Sequence, residues 1–302
     1  MRNSSPVQGT VVVTGASTGM GRACALRLAQ AGYRVFAGVR SPAAAEDLRA
    51  AAPGMLTPLY LEITEPAQIE AAVKEVAEAT SDEGIAGLVN AAGVGWTSPS
   101  ELVPLDSVRR QFEINVFGPL AVTQAFLPQI RRGHGRLINM GSIGDRVTMP
   151  FGGPLNATKH AAASFNDALR VELRPWGIPV VLIEPASIRT PAVDKLLRAG
   201  EEAISEFSPR ERLLYQDAYR SMLRNVTMHA TRFGTPPEAV AEAVHRALTA
   251  NRPKTRYLVG KSARPLAAIA RFVPDRGFDA IRVRVFGLPR GFGARRDEVL
   301  PG

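Results

Sequence analysis

A run of glycines is the first place in this 302-residue chain where residue type and spacing could do chemistry: Thr14-Gly15-Ala16-Ser17-Thr18-Gly19-Met20-Gly21. Glycine lets the backbone turn tightly and approach a ligand closely. Amide donors and the positive end of a following helix can then face a pyrophosphate. Such a run is also compatible with a simple β-to-α turn. Here a strand candidate precedes it and a helix candidate follows, the order that a dinucleotide site requires. The second strand candidate ends in Val39-Arg40-Ser41, a guanidinium where a site for an unphosphorylated ribose diol commonly carries a carboxylate. A planar cation suits a 2′-phosphate, so NADP(H) is expected over NAD(H), with a plain surface arginine as the alternative.

Other reactive side chains offer less. His134, His160, His229 and His245 are scattered without metal-ligand spacing, so no metal is expected. The single cysteine, Cys24, lies on the first helix candidate and reads as buried packing. Having no partner for an internal disulfide, it fits a reducing compartment. Trp96 reads as a cleft-wall residue and Trp176 as helix packing.

Stepping outward, the elements that must hold the glycine run are apolar runs of strand length alternating with helix-period stretches up to about Glu184. This is the pattern of βαβ units around a parallel sheet. Strand candidates are Thr10–Thr14, Arg34–Val39, Leu56–Ile63, Gly87–Asn90, Arg136–Met140, Pro179–Glu184 and Arg256–Val259. The first helix candidate runs from Gly19 to Ala31 and stops at Gly32, and another spans Pro236–Ala250. From Ala192 to Met228 the pattern turns polar and amphipathic, as in an insertion that covers a ligand cleft. The expected architecture is a doubly wound α/β fold, Rossmann-like, over residues 8–260. It includes a helical lid at about 191–230, and residues 261–302 form a basic extension.

With these motifs in order, the sequence resembles the short-chain dehydrogenase/reductase family over roughly residues 8–260. Asn90-Ala91-Ala92-Gly93 is similar to that family's segment supporting the adenosine side, and Asn115 to the helix asparagine that organises a proton-relay water. Ser142 stands where the family has a substrate-positioning serine. Lys159 stands where it has the lysine that holds the nicotinamide ribose and lowers the pKa of a tyrosine. Pro185-Ala186-Ser187-Ile188-Arg189-Thr190 is similar to the segment facing the nicotinamide carboxamide, with Ala186 in place of the usual glycine. The resemblance implies a cofactor set of Gly15, Ser17, Thr18, Gly19, Met20, Gly21, Arg40, Glu62, Asn90, Ala91, Gly93, Lys159, Pro185, Ile188 and Thr190. Val171-Glu172-Leu173-Arg174-Pro175-Trp176-Gly177 and the long C-terminal extension resemble the hydroxysteroid and retinol dehydrogenase branch, which implies a bulky, apolar alcohol or ketone. The family also implies a homo-oligomer.

The sequence departs from the family at one position. The family's Tyr-x-x-x-Lys is here Leu155-Asn156-Ala157-Thr158-Lys159, with Leu155 thirteen residues after Ser142 and four before Lys159. That spacing puts residues 155 and 159 on one helical face. Leucine has no proton to give, and general acid–base assistance is typically worth about 10²–10⁴ in rate. His160 shares a face with Asn156 that is turned about 100° away. The better donor candidates are Ser142 or a water linked to Lys159 and Asn115; Asp145 and Thr148 in the following loop are further options. Three readings stay open: an NADP-dependent oxidoreductase with a non-standard donor, a nonredox cyclase, isomerase or dehydratase on the same fold, and a catalytically silent cofactor-binding protein.

Composition bounds these readings. Hydrophobic residues make up 45% and charged residues 22%, which excludes a wholly disordered or fibrous chain. No signal-peptide core or membrane-length apolar run occurs, so a cytoplasmic protein is expected. The net charge is +9. Between Lys261 and Arg296 nine basic residues face only Asp275 and Asp279, without zinc-finger spacing, heptads or a recognition helix. Nucleic acid is therefore not expected as a partner. A solvated basic tail is the default, and weak contact with an anionic membrane surface or a partner is the alternative.

Overall fold

The computed structural model describes residues 8–292 apart from 53, 82 and 290; the basic residues Arg290, Arg295 and Arg296 lie outside the described residues. Seven parallel strands form one sheet: β1 (Thr10–Val13), β2 (Arg34–Val39), β3 (Leu56–Tyr60), β4 (Gly87–Asn90), β5 (Arg136–Met140), β6 (Val180–Pro185) and β7 (Arg256–Val259). Their order is β3-β2-β1-β4-β5-β6-β7. The helices between them are α1 (Gly19–Gln30), α2 (Pro42–Ala51), α3 (Pro66–Ala79), α4 (Leu105–Phe112), α5 (Gly118–Arg132) and α6 (Gly153–Glu172). After β6 come α7 (Pro191–Glu206), the single turn α8 (Pro209–Glu211), α9 (Asp217–Phe233) and α10 (Glu238–Thr249). Beyond β7 lie α11 (Ala263–Phe272) and α12 (Asp275–Val285).

Strand side chains alternate between two buried faces, which is why these segments read as nearly continuous apolar runs. Val11, Val13, Val35, Ala37 and Ile183 pack with Cys24 and Leu28 of α1, Leu48 of α2 and Val244 of α10. Val12, Phe36, Leu88 and Leu137 pack with Val76 of α3 and with Phe126 and Ile130 of α5. Cys24 is fully buried, and burial pushes its thiol up to about 12, as expected of packing rather than of a nucleophile.

β3 is three residues shorter than its apolar run. Leu61 still donates to the Val39 carbonyl at 3.0 Å, but the Glu62 amide turns to the Gln68 side chain at 2.8 Å, which leads the chain into α3. The expected lid is helical: Ile204, Phe207, Tyr219, Met222 and Leu223 of the α7–α9 segment form a third apolar cluster, against which Leu102 and Phe151 pack. Trp176 differs from expectation. It stands half-exposed on a turn after α6, with the Arg131 guanidinium 4.4 Å from its ring centroid. No helix among the described residues is long and apolar enough to cross a membrane.

Candidate active site

Strand order reverses between β1 and β4, and a doubly wound sheet opens its ligand crevice beyond the carboxyl ends of the strands at such a point. The glycine run leaves β1 there. Gly15 has a φ of +64°, and a Cβ on it would lie 2.6 Å from Ala92 Cα. A Cβ on Gly21 would lie 2.2 Å from the Gly15 carbonyl oxygen, so only glycine closes this turn. Thr14 fixes the neighbouring loop, its Oγ1 accepting from the amides of Ala91 at 3.0 Å and Ala92 at 3.1 Å. The first turn of α1 carries no acid, and Thr18 at its N-cap makes no side-chain capping bond. Thr190, which begins α7, also makes no capping bond, and its side chain lies about 3.5 Å from where a Gly19 Cβ would be. Two helix N-termini without side-chain caps thus border one crevice, α1 with no acid in its first turn and α7 with Asp194 there, and their amides fit the pyrophosphate and carboxamide of a nicotinamide dinucleotide.

At the far end of β2, Arg40 projects into solvent and donates to Glu62 Oε2 at 3.2 Å. The pairing links two residues assigned separately to the cofactor set, and a 2′-phosphate would compete with Glu62 for this guanidinium. The Pro185–Thr190 segment is held to its neighbours: Ala186 donates to Val259 O at 2.9 Å, Arg189 to Thr235 O at 2.9 Å and Thr235 to Ser187 O at 2.9 Å. Ser187 takes a φ of +50°, a sparsely populated region for a non-glycine residue. The Ile188 side chain points into the core beside α1 and α10, which leaves its backbone for any ligand contact.

The catalytic-side residues converge from three elements. A short π-helical stretch, Glu113–Phe117, joins α4 to α5 and carries Asn115. Asn115 grips the loop after β4, accepting from Val94 N and donating to Val94 O, both at 2.8 Å, and its Nδ2 also donates to Thr158 Oγ1 at 3.1 Å. Thr158 in turn donates to the Leu155 carbonyl at 2.7 Å. The turn of α6 that bears residues 155 and 159 is therefore tied to the loop that faces it. A Cβ on Gly93 would lie 4.0 Å from Lys159 Nζ, and one on Gly95 would lie 3.4 Å from Leu155 Cδ2. The loop thus runs along the α6 face with Gly93 beside Lys159 and Gly95 beside Leu155.

Burial pushes the Lys159 ammonium down to about 8, with the field of Asp145 opposing it. Ser142 caps the turn Ile143–Asp145 by accepting from Gly144 N at 3.0 Å, and its own hydroxyl proton stays available to donate. Behind Lys159 lies a cavity of about 40 Å³ bordered by Asn90, Asn115 and Asn139. A water needs about 10–15 Å³ and several polar partners. Asn90 spends its amide on Thr123 Oγ1 at 2.9 Å and Asn139 Oδ1 at 3.0 Å, while its Oδ1 has no partner. It ties the end of β4 to α5 and β5.

The other donor options lie elsewhere. His160 Nδ1 sits 2.9 Å from the Asn156 carbonyl on an exposed face. Asp145 is buried with its Oδ2 accepting from Arg256 at 2.8 Å. Arg256 also donates to Glu184 Oε1 at 2.9 Å and to Asp167 Oδ2 at 2.8 Å, and Arg146 donates to Glu184 at 2.7 Å. Burial, then the Glu184 charge, pushes Asp145 up to about 6. Sequence reading missed this network, as it missed Thr14 and Thr158, because β7 meets the loop after β5 only in three dimensions. No group of three or more His, Cys, Asp or Glu among the described residues could hold a metal.

A family model described as short chain dehydrogenase matches residues 9–200. The chain is 32% identical over 295 residues to retinol dehydrogenase 5 of Mus musculus, covering 96% of this chain and 92% of that protein. It is 32% identical over 275 residues to an NADPH-dependent 3-dehydrocapnine reductase of Ornithobacterium rhinotracheale, covering 89% of this chain and 94% of that protein. Among solved structures it is similar to a short-chain dehydrogenase from Streptomyces avermitilis at a TM-score of 0.72 and 25% identity, covering 98% of each chain.

Proposed function

We propose that this chain, which belongs to the short-chain dehydrogenase family, is an NADP-dependent oxidoreductase that acts on a bulky, apolar alcohol or ketone with a proton donor other than tyrosine. Membership of the hydroxysteroid and retinol dehydrogenase branch makes it an oxidoreductase with a nicotinamide cofactor; the phosphate preference, the substrate and the donor are our reading. One observation carries that reading. Leu155 and Lys159 of α6 face the same loop, beside Gly95 and Gly93, so the family's lysine is in place while the position that holds its phenol offers only hydrocarbon. Arg40 supports the 2′-phosphate preference, and so does the NADPH dependence in the name of the 3-dehydrocapnine reductase.

Held by the glycine run, Lys159 and the Pro185–Thr190 segment, a nicotinamide dinucleotide would supply or accept a hydride. Reduction of a ketone then needs one proton at the carbonyl oxygen. The Ser142 hydroxyl polarises that oxygen by donating to it. Lys159, held near 8, keeps an ammonium beside the site at neutral pH and passes a proton through water held with Asn115. Leu155 adds apolar wall and excludes bulk water from this side of the substrate. The hydrocarbon of Leu155 at the phenol position and the likeness to retinol dehydrogenase 5 support a large hydrophobic substrate.

The test is to incubate the full chain with NADPH or NADH and a panel of steroid, retinoid and long-chain ketones, following both cofactor absorbance and product. Oxidation of NADPH coupled to ketone reduction is the expected result. Conversion of a substrate with no net cofactor oxidation would replace this reading with that of a nonredox cyclase, isomerase or dehydratase, for which the apolar residue at 155 is the specific argument. Failure to bind either dinucleotide would overturn both.

A further inference from the structure

At the sheet edge formed by β7, away from the phosphate loop, lies a half-open cavity of about 750 Å³. Ligand sites for small molecules run from about 300 to 1,000 Å³, so its size suits a nucleotide-sized guest. Its lining includes Arg146, Arg246, Arg252, Lys254, Arg256 and Arg264 against a single carboxylate, Glu184. Two of these cations are already engaged: Arg146 and Arg256 both donate to Glu184, which is fully buried. They form a rigid floor.

The rim differs. Arg252, Lys254 and Arg264 are exposed, and no ion pair joins any of them to a carboxylate among the described residues. Arg264 also sits in the first turn of α11, which has no acid there and no side-chain cap from Ser262. A cation at the positive end of a helix runs against the dipole preference, and an anion in the cavity would relieve that conflict. Clustering like charges in a concave surface is unfavourable without a counter-charge and attracts one. A second copy of this chain is a poor candidate, because a two-fold contact would set the same cations against each other.

We propose that this cleft is a second ligand site, separate from the dinucleotide crevice, for a molecule that carries linked phosphate groups. The floor orients the guest, and Arg252, Lys254 and Arg264, with the exposed Arg246 beside them, supply the charge. The linked phosphates belong either to a free polyphosphate compound or to the headgroup of a phosphoinositide, and the two sources are separable by experiment.

The experiment titrates inorganic tripolyphosphate into the full chain already saturated with NADPH, so that the dinucleotide crevice is filled. The comparison variant is Arg252→Ser/Lys254→Ser/Arg264→Ser, whose three side chains are exposed and outside the core. The expected result is one-site binding by wild type, weakened at least tenfold in the variant and weakened further by salt, with NADPH affinity and the circular dichroism spectrum unchanged. A parallel arm sediments the protein with phosphatidylcholine vesicles containing phosphatidylinositol bisphosphate. Co-sedimentation lost in the variant assigns the phosphates to a lipid headgroup; tripolyphosphate binding without co-sedimentation assigns them to a soluble compound. Equal affinity in wild type and variant would overturn the proposal, as would the absence of tripolyphosphate binding by wild type both with and without NADPH. Loss of self-association in the variant without any tripolyphosphate binding would overturn it too, in favour of a second copy.

Discussion

Replacing Leu155 by tyrosine restores one phenol at a position whose surroundings are otherwise intact. Residue 155 lies four before Lys159 on α6, and the loop it faces presents Gly95, where an added Cβ would lie 3.4 Å from Leu155 Cδ2. A phenol there would titrate near 10 in water, and the adjacent ammonium lowers it toward the working range. General acid–base assistance spans about 10²–10⁴, or roughly 2.7–5.4 kcal/mol of barrier. Ser142 and Lys159-linked water supply part of that already, so the expected gain in reductase rate for Leu155→Tyr is tenfold or more rather than the full range. The assay is steady-state NADPH oxidation with the best ketone from the panel, with NADPH affinity measured on the same preparations. Because Lys159 holds its proton only up to about pH 8, the gain should shrink above that pH. A rate that stays level or drops while NADPH affinity is preserved would refute the reasoning and give the leucine a positive role in shaping the pocket.

Four further outcomes follow from the geometry. Lys159 has a folded pKa of about 8 against 10.5 in the unfolded chain, so the cost of holding its proton is fully present below pH 8 and fades as pH rises to 10.5. The stability advantage of Lys159→Met over wild type, read from denaturant midpoints without cofactor, should shrink across that window while the variant loses NADPH affinity at neutral pH. Arg40→Ser should weaken NADPH binding about tenfold, the low end of the ~1.5–3 kcal/mol of a hydrogen bond to a charged group because Arg40 is largely exposed, and leave NADH almost unchanged in calorimetry. Arg256→Gln removes one partner from each of Asp145, Glu184 and Asp167, Glu184 keeping Arg146 and Asp167 keeping Arg170, and should lower unfolding stability by about 3 kcal/mol, toward the lower bound for breaking a buried pair, in urea melts at pH 7. Gly21→Ala cannot place its Cβ 2.2 Å from the Gly15 oxygen without opening the turn, so the thermal shift produced by NADPH should vanish.

Much of this site could be read without coordinates, for local reasons. A glycine run between a strand and a helix states its own backbone requirement, and Gly15 and Gly21 meet it. The separation of residues 155 and 159 is a helical period, so their shared face follows from spacing alone. Six of the seven strand candidates lie within one residue of the observed bounds at each end, since buried parallel strands are short, apolar and bracketed by turn residues. The exception, the run Leu56–Ile63, continues past Tyr60 because Leu61 and Ile63 are buried, which apolarity cannot distinguish from pairing.

What the chain alone determined was therefore the order of its elements, the phosphate-binding turn and the absence of a phenol at position 155. Each depends on residues close together in sequence. Tertiary structure decided which side chains are spent and which are free. Asn90 turns its amide to Thr123 and Asn139, Ile188 turns into the core, and Glu62 meets Arg40. It also drew Asp145, Glu184 and Asp167 around Arg256 and left Arg252, Lys254 and Arg264 around one cavity. Contacts between residues tens to more than a hundred positions apart are set by sheet order and helix packing, and charge in such places acts through distance and burial, which a linear pattern does not contain.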